Sequence, residues 1–99
     1  KGANPNGAKN AATKFCSAVM NRSHSDMKDF TSQPLNKVLG EFTNEYTGET
    51  MCSPDPAVRS DTVFDLHGAE GGDGGVLCRF KLEGSKWRLQ KCAYISRMF

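Results

Sequence analysis

The sequence predicts an α+β domain in which N-terminal helices pack on a curved antiparallel sheet of three to four strands. Its last third, residues 61–95, alternates apolar and polar side chains through three runs separated by two glycine turns. Its first half instead repeats apolar residues at three- and four-residue steps, the period of a helix buried on one side. The third observation concerns register. Gly84-Ser85 suits a type II′ hairpin turn, because glycine tolerates positive φ at the first turn position. That turn sets Glu83 opposite Lys86, Leu82 opposite Trp87 and Phe80 opposite Leu89. Opposite charges then meet, and apolar groups meet apolar ones.

Residues 1–7 read as a flexible tether between an export signal or lipid anchor and the single domain of residues 8–99. The first helix takes residues 8–21, with Ala8, Ala11, Ala12, Phe15, Cys16 and Val19 on one apolar stripe. Ser23 or Ser25 then caps a short second helix over residues 26–31, which buries Met27 and Phe30. Asp26 and Asp29 favour its N-terminus. Pro34 opens a third helix, where its missing N–H costs nothing, and Leu35, Val38, Leu39 and Phe42 carry the stripe through Tyr46. Residues 47–60 contain Gly48, Pro54 and Pro56 and follow no period, so they read as a loop with at most a short edge strand at residues 50–52.

The strands are expected at residues 62–67, 76–82 and 86–95, the first two joined by the glycine-rich loop 69–75. Phe64 and Leu66, then Val76, Cys78, Phe80 and Leu82, then Trp87, Leu89, Ala93 and Ile95 form the covered face. Lys91 interrupts the last run and points to a bulge nearby. Asp65, His67, Arg79, Lys81, Arg88, Gln90 and Tyr94 fall on the opposite face and read as solvated. There Arg79, Lys81, Lys86 and Arg88 make a basic patch, with Tyr94 farther along the strand.

A chain of 99 residues makes one domain of modest stability, about 5–10 kcal/mol, so a covalent staple matters. Cys16, Cys52, Cys78 and Cys92 are even in number and lack CxxC spacing, which favours two disulfides in an oxidising compartment over a metal site. Three pairings exist; strand parity sets Cys78 and Cys92 on different faces and argues against joining them, unless a bulge intervenes. Thirteen basic and eleven acidic residues leave a net charge of +2, too balanced to imply nucleic acid. No apolar run approaches the ~20 residues of a membrane span.

Three passages carry a likeness to known proteins. They are Ala11-Ala12-Thr13-Lys14-Phe15-Cys16-Ser17-Ala18-Val19, Ser23-His24-Ser25-Asp26-Met27-Lys28-Asp29-Phe30, and residues 75–89 from Gly75-Val76-Leu77-Cys78 through Gly84-Ser85-Lys86-Trp87-Arg88-Leu89. Their order resembles the nuclear transport factor two-like superfamily, and most closely its small exported lumazine-binding-like bacterial domains of unknown function. The resemblance implies a cone-like fold whose helices close over a bent sheet, and it implies no catalytic residue at any position of this chain. The cystatin-like arrangement, one helix wrapped by a meander, shares the sheet but not the third helix.

Candidate chemistry reduces to plainer readings. Asp65 and His67 share a strand face as an acid/base pair would, but that face is solvated by pattern. Ser23, His24 and Asp26 are contiguous in a turn, which is not the convergent geometry of a triad. The glycine loop lacks the helix and the Lys-Ser/Thr of a phosphate loop. The expectation is therefore a non-catalytic, exported (periplasmic or secreted) binding module without cofactor or metal. It would serve as a protein-interaction or accessory domain of the bacterial envelope or of a secretion or inhibitor system. The partner-binding residues would be Arg79, Lys81, Arg88 and Tyr94. Two alternatives stand beside it: a cystatin-like protease inhibitor, and a binder of a small apolar ligand in a cavity among Phe15, Val19, Leu39, Phe42, Phe80, Trp87 and Leu89.

Overall fold

The computed structural model describes residues 5–44, 47–68 and 75–94. It is an α+β arrangement, helices first and then a four-stranded open antiparallel sheet in the meander order β1-β2-β3-β4. Helix α1 spans Pro5–Met20, so it begins inside the expected tether; proline is tolerated there because a first-turn N–H has no helical partner. It ends in a Schellman-type cap, with Arg22 left-handed at φ 55° and the Ser23 and Arg22 N–H groups donating to the carbonyls of Ala18 and Val19. Helix α2 is His24–Met27, earlier and shorter than expected, because Ser23 rather than Ser25 is its cap and accepts from the Asp26 N–H at 3.4 Å. Met27 and Phe30 are buried as expected. Helix α3 covers Leu35–Glu41.

The expected continuation of α3 to Tyr46 fails at Phe42, and Tyr46 itself lies outside the described residues. The backbone turns instead into a small hairpin: the Phe42 carbonyl accepts from Met51 at 3.0 Å and the Asn44 N–H donates to Glu49 at 2.8 Å. Gly48 enables that turn at φ +72°. Beyond it, the expected loop contains a strand that sequence reading missed. Strand β1, Ala57–Ser60, pairs with β2, Val63–His67, through Ala57–Asp65, Val58–Phe64 and Ser60–Val63, with Arg59 as the extra residue of a bulge. Pro54 and Pro56 obscured β1 in the sequence, yet prolines are compatible with an edge strand. Residues 50–52, expected as a short edge strand, make only isolated bridges, Thr43–Thr50 and Cys52–Gly68.

Strands β3, Val76–Glu83, and β4, Lys86–Tyr94, meet as the turn dictates, with Gly84 at φ +67° and Glu83–Lys86, Leu82–Trp87 and Phe80–Leu89 as pairs. The register then slips. Arg79 opposes Lys91 while Phe80 opposes Leu89, so Gln90 is an extra residue and every side chain beyond it changes face. This corrects the expected faces of four residues. Cys92 now lies opposite Cys78, and the two form a disulfide. Tyr94 opposes Val76 on the covered side, where it packs against the core. Ala93 moves to the other face, opposite Leu77, and Lys91 stands exposed there. The second disulfide joins Cys16 of α1 to Cys52. Two disulfides mark a fold suited to an oxidising environment.

The outer edge of β4 is covered at its middle. The Leu89 N–H donates to the Phe30 carbonyl at 2.8 Å, and Arg88 Nη1 reaches the carbonyls of Asp29 and Lys28 at 3.1 and 3.4 Å. Among the described residues no helix is long and apolar enough to cross a membrane.

Between the layers the core is aromatic. Phe64 and Phe80 stack at 4.7 Å, Phe15 meets Phe80 edge-on at 4.7 Å, and Trp87 meets Phe64 edge-on at 4.8 Å. Phe42 lies 5.6 Å from Phe15 and presses on Gly68, where an added Cβ would sit 2.5 Å from the Phe42 ring. Gly68→Ala should therefore cost about 1–3 kcal/mol, because a wholly buried ring has nowhere to retreat. Urea unfolding checks this; a loss within experimental error would mean the ring yields freely.

Candidate interaction face

The sheet face turned away from the helices is organised around a buried carboxylate. Asp65 sits in the middle of β2, wholly without solvent exposure. Arg79 of β3, directly opposite, donates from Nε to Oδ1 at 2.8 Å and from Nη2 to Oδ2 at 3.0 Å. Arg59 of β1 donates from Nε to the same Oδ2 at 2.8 Å. The β1 bulge and the small Ala57 opposite Asp65 let the Arg59 chain fold over the carboxylate. The solvated position expected for Asp65 is thus corrected: arginines from both neighbouring strands cover it. Burial pushes the Asp65 pKa up, but the hydrogen bonds from Arg79 and Arg59 and their charges outweigh it and hold the group below the ordinary carboxylate value.

Around this triad the strand register collects cations. Arg79 lies opposite Lys91, Lys81 opposite Arg88, and Glu83 opposite Lys86. With Arg59, and without Arg88, whose head turns to the carbonyls beside α2, five cations share the face with two carboxylates, Asp65 and Glu83, leaving it three charges positive where the whole chain carries +2. The side chains of Arg59 and Arg79 keep 48% and 35% of their surface exposed while Asp65 keeps none. They form a fixed, half-exposed guanidinium pair rather than two mobile surface chains.

The four residues expected to bind a partner do not act alike. Lys81 is exposed on this face, and Arg79 is tied to Asp65. Arg88 spends its head on the carbonyls beside α2, and Tyr94 is on the covered side. Arg59 and Lys91 were missed. Arg59 was hidden in the apparent loop, and Lys91 was misplaced by the parity change at Gln90. Of the seven residues expected around a cavity, Leu39 is half-buried and the other six are buried, with Phe15, Phe42, Phe80 and Trp87 in ring-to-ring packing. Among the surface clefts, one of about 270 Å³ is lined by Trp87 together with Lys14, Asp29, Phe30 and Lys86. His67 is exposed two residues from Asp65, whose oxygens are taken by the arginines. The glycine loop lies outside the described residues except for Gly75.

Comparison of the chain with protein-family models, with curated proteins and with solved structures returns no match.

Proposed function

We propose that this chain is a non-catalytic, exported binding module that holds an acidic surface of a protein partner against the outer face of its sheet. The three-charge excess on that face carries the reading. A sheet presents cations at fixed spacing, and a positive face draws in and orients a negative one. The two disulfides support maturation outside the cytoplasm, in the bacterial envelope or a secretion or inhibitor system. The order of long helix, short helix, helix and meander supports the cone-type frame of the nuclear transport factor two-like superfamily as part of the same proposal.

The test uses a defined probe. Fluorescein-labelled oligoglutamate is expected to bind saturably at about 20 mM salt and to weaken steeply towards about 150 mM. Reversing Lys81 and Lys91 to glutamate should weaken it by about tenfold, or about 1.4 kcal/mol, without changing the melting temperature. Absence of saturable binding, or equal binding by the double variant, would overturn the reading. So would markedly tighter binding of heparin, which would make the partner a sulfated polysaccharide.

A further inference from the structure

We propose that Arg59 and Arg79 form a single oxyanion seat, and that its occupant is one carboxylate of the acidic partner surface. This inference rests on the binding-module reading and assigns its central contact. The two guanidiniums converge on one atom, Asp65 Oδ2, so their outer ends border the same patch of surface.

A donor inventory shows what remains for a ligand. A guanidinium carries five N–H bonds in a planar fork. Arg59 spends only Nε on Asp65, leaving both terminal amino groups; Arg79 spends Nε and Nη2, leaving Nη1 unspent. Neither arginine has another ion-pair partner among the described residues. The free fork of Arg59 matches the two oxygens of a carboxylate, and Arg79 Nη1 flanks it. Lys91, opposite Arg79, adds charge on the same side.

Burial of Asp65 is what makes the seat. A carboxylate without solvent exposure cannot swing out to meet water, so it fixes both guanidiniums before any partner arrives. Side-chain ordering, normally a cost of binding, is then already met. Asp65 cancels one of the two arginine charges, and Lys81 and Lys91 keep the surroundings positive.

The experiment follows the arginine Nε–Hε resonances of the intact, oxidised protein by NMR during titration with sodium acetate and, separately, sodium sulfate. Acetate is expected to shift Arg59 and Arg79 together and saturably, while Arg22, exposed at the end of α1, follows only the bulk salt effect. Equal behaviour of all three arginines would overturn the seat. Sulfate saturating at less than a tenth of the acetate concentration would overturn the carboxylate assignment in favour of a sulfate or phosphate group.

Arg59→Lys separates the seat from the general field. It keeps the charge but removes the fork, and should weaken oligoglutamate binding about fivefold, with the Arg79 shift on acetate titration reduced. If Lys81→Glu with Lys91→Glu weakens binding but Arg59→Lys does not, the face binds acidic protein and the seat is wrong. If acetate shifts the pair but oligoglutamate does not bind, the seat stands and the acidic-partner reading fails.

Discussion

Replacing Cys16 and Cys52 together with alanine is expected to lower the unfolding free energy by about 4 kcal/mol. The bridge closes a span of 36 residues, and the chain-entropy relation gives about 3.8 kcal/mol for a loop of that size. Opening the Cys78–Cys92 bridge, with its span of 14, should cost less, about 3 kcal/mol. The larger effect also has a local reason. Around Cys52 the chain passes from the small hairpin to β1 with few backbone bonds, chiefly the Cys52–Gly68 bridge and the Ser53 N–H to the His67 carbonyl at 3.1 Å. Cys16 is buried in α1, so the disulfide fastens that weak segment to the longest of the three helices. A domain of this length has about 5–10 kcal/mol in all, so the variant should stand near the edge of folding. Urea denaturation of oxidised wild type and variant measures the difference; a loss below about 1 kcal/mol would show that packing alone holds the segment.

Arg79→Ala should be nearly as damaging, costing about 3 kcal/mol. It strips two of the three hydrogen bonds from Asp65 and leaves a carboxylate without solvent exposure facing Arg59 alone. Breaking a buried pair costs about 3–5 kcal/mol, and the partial exposure of Arg79 sets the effect at the lower end. Acid titration gives the sharper signature. In the wild type the folded pKa of Asp65 lies below its unfolded value of about 3.9. The stability it contributes is then fully present above the unfolded pKa and lost as pH falls through the folded one. Without Arg79, burial pushes the group up against a single arginine, so this acid-dependent loss should shrink. Melting temperatures between about pH 2 and pH 7 should show the variant deficit narrowing as pH falls. Adding Asp65→Asn to Arg79→Ala should recover part of the loss, because the buried charge is gone. An Arg79→Ala protein as stable as wild type at neutral pH would mean that Arg59 satisfies the carboxylate by itself.

The fold was legible where local chemistry dictates geometry. Gly84-Ser85 fixed the β3–β4 turn, and from it the pairs down to Phe80–Leu89 followed by counting. Counting failed at Gln90: Lys91 signalled the bulge nearby, but not which residue is inserted, and one extra residue reverses the parity of all that follows. The loss of Cys92, Lys91 and Tyr94 from their true faces has that one cause. Strand β1 escaped for a different reason: four residues after two prolines are too short for a period to emerge. Asp65 shows the limit most clearly. Alternation assigns it to the outer face, correctly, but whether that position is wet depends on arginines six residues before and fourteen after it. Their coverage is tertiary, and no spacing rule along β2 contains it.

The two borders of the sheet are unequal, and this governs how copies of the chain can associate through their backbones. Head-to-tail strand addition needs an accepting and a donating border on every copy, and only then does it propagate as a fibre. Here the β4 border is occupied at Leu89 by the Phe30 carbonyl and straddled by Arg88. Strand β1 forms the other border and, among the described residues, pairs only with β2. Among the described residues β1 is therefore the freer border, and two β1 strands meeting about a twofold axis would make an arrangement that closes on itself. Strand addition along the middle of β4 would require the segment after α2 to peel away first, so the short stretch that caps β4 opposes growth there.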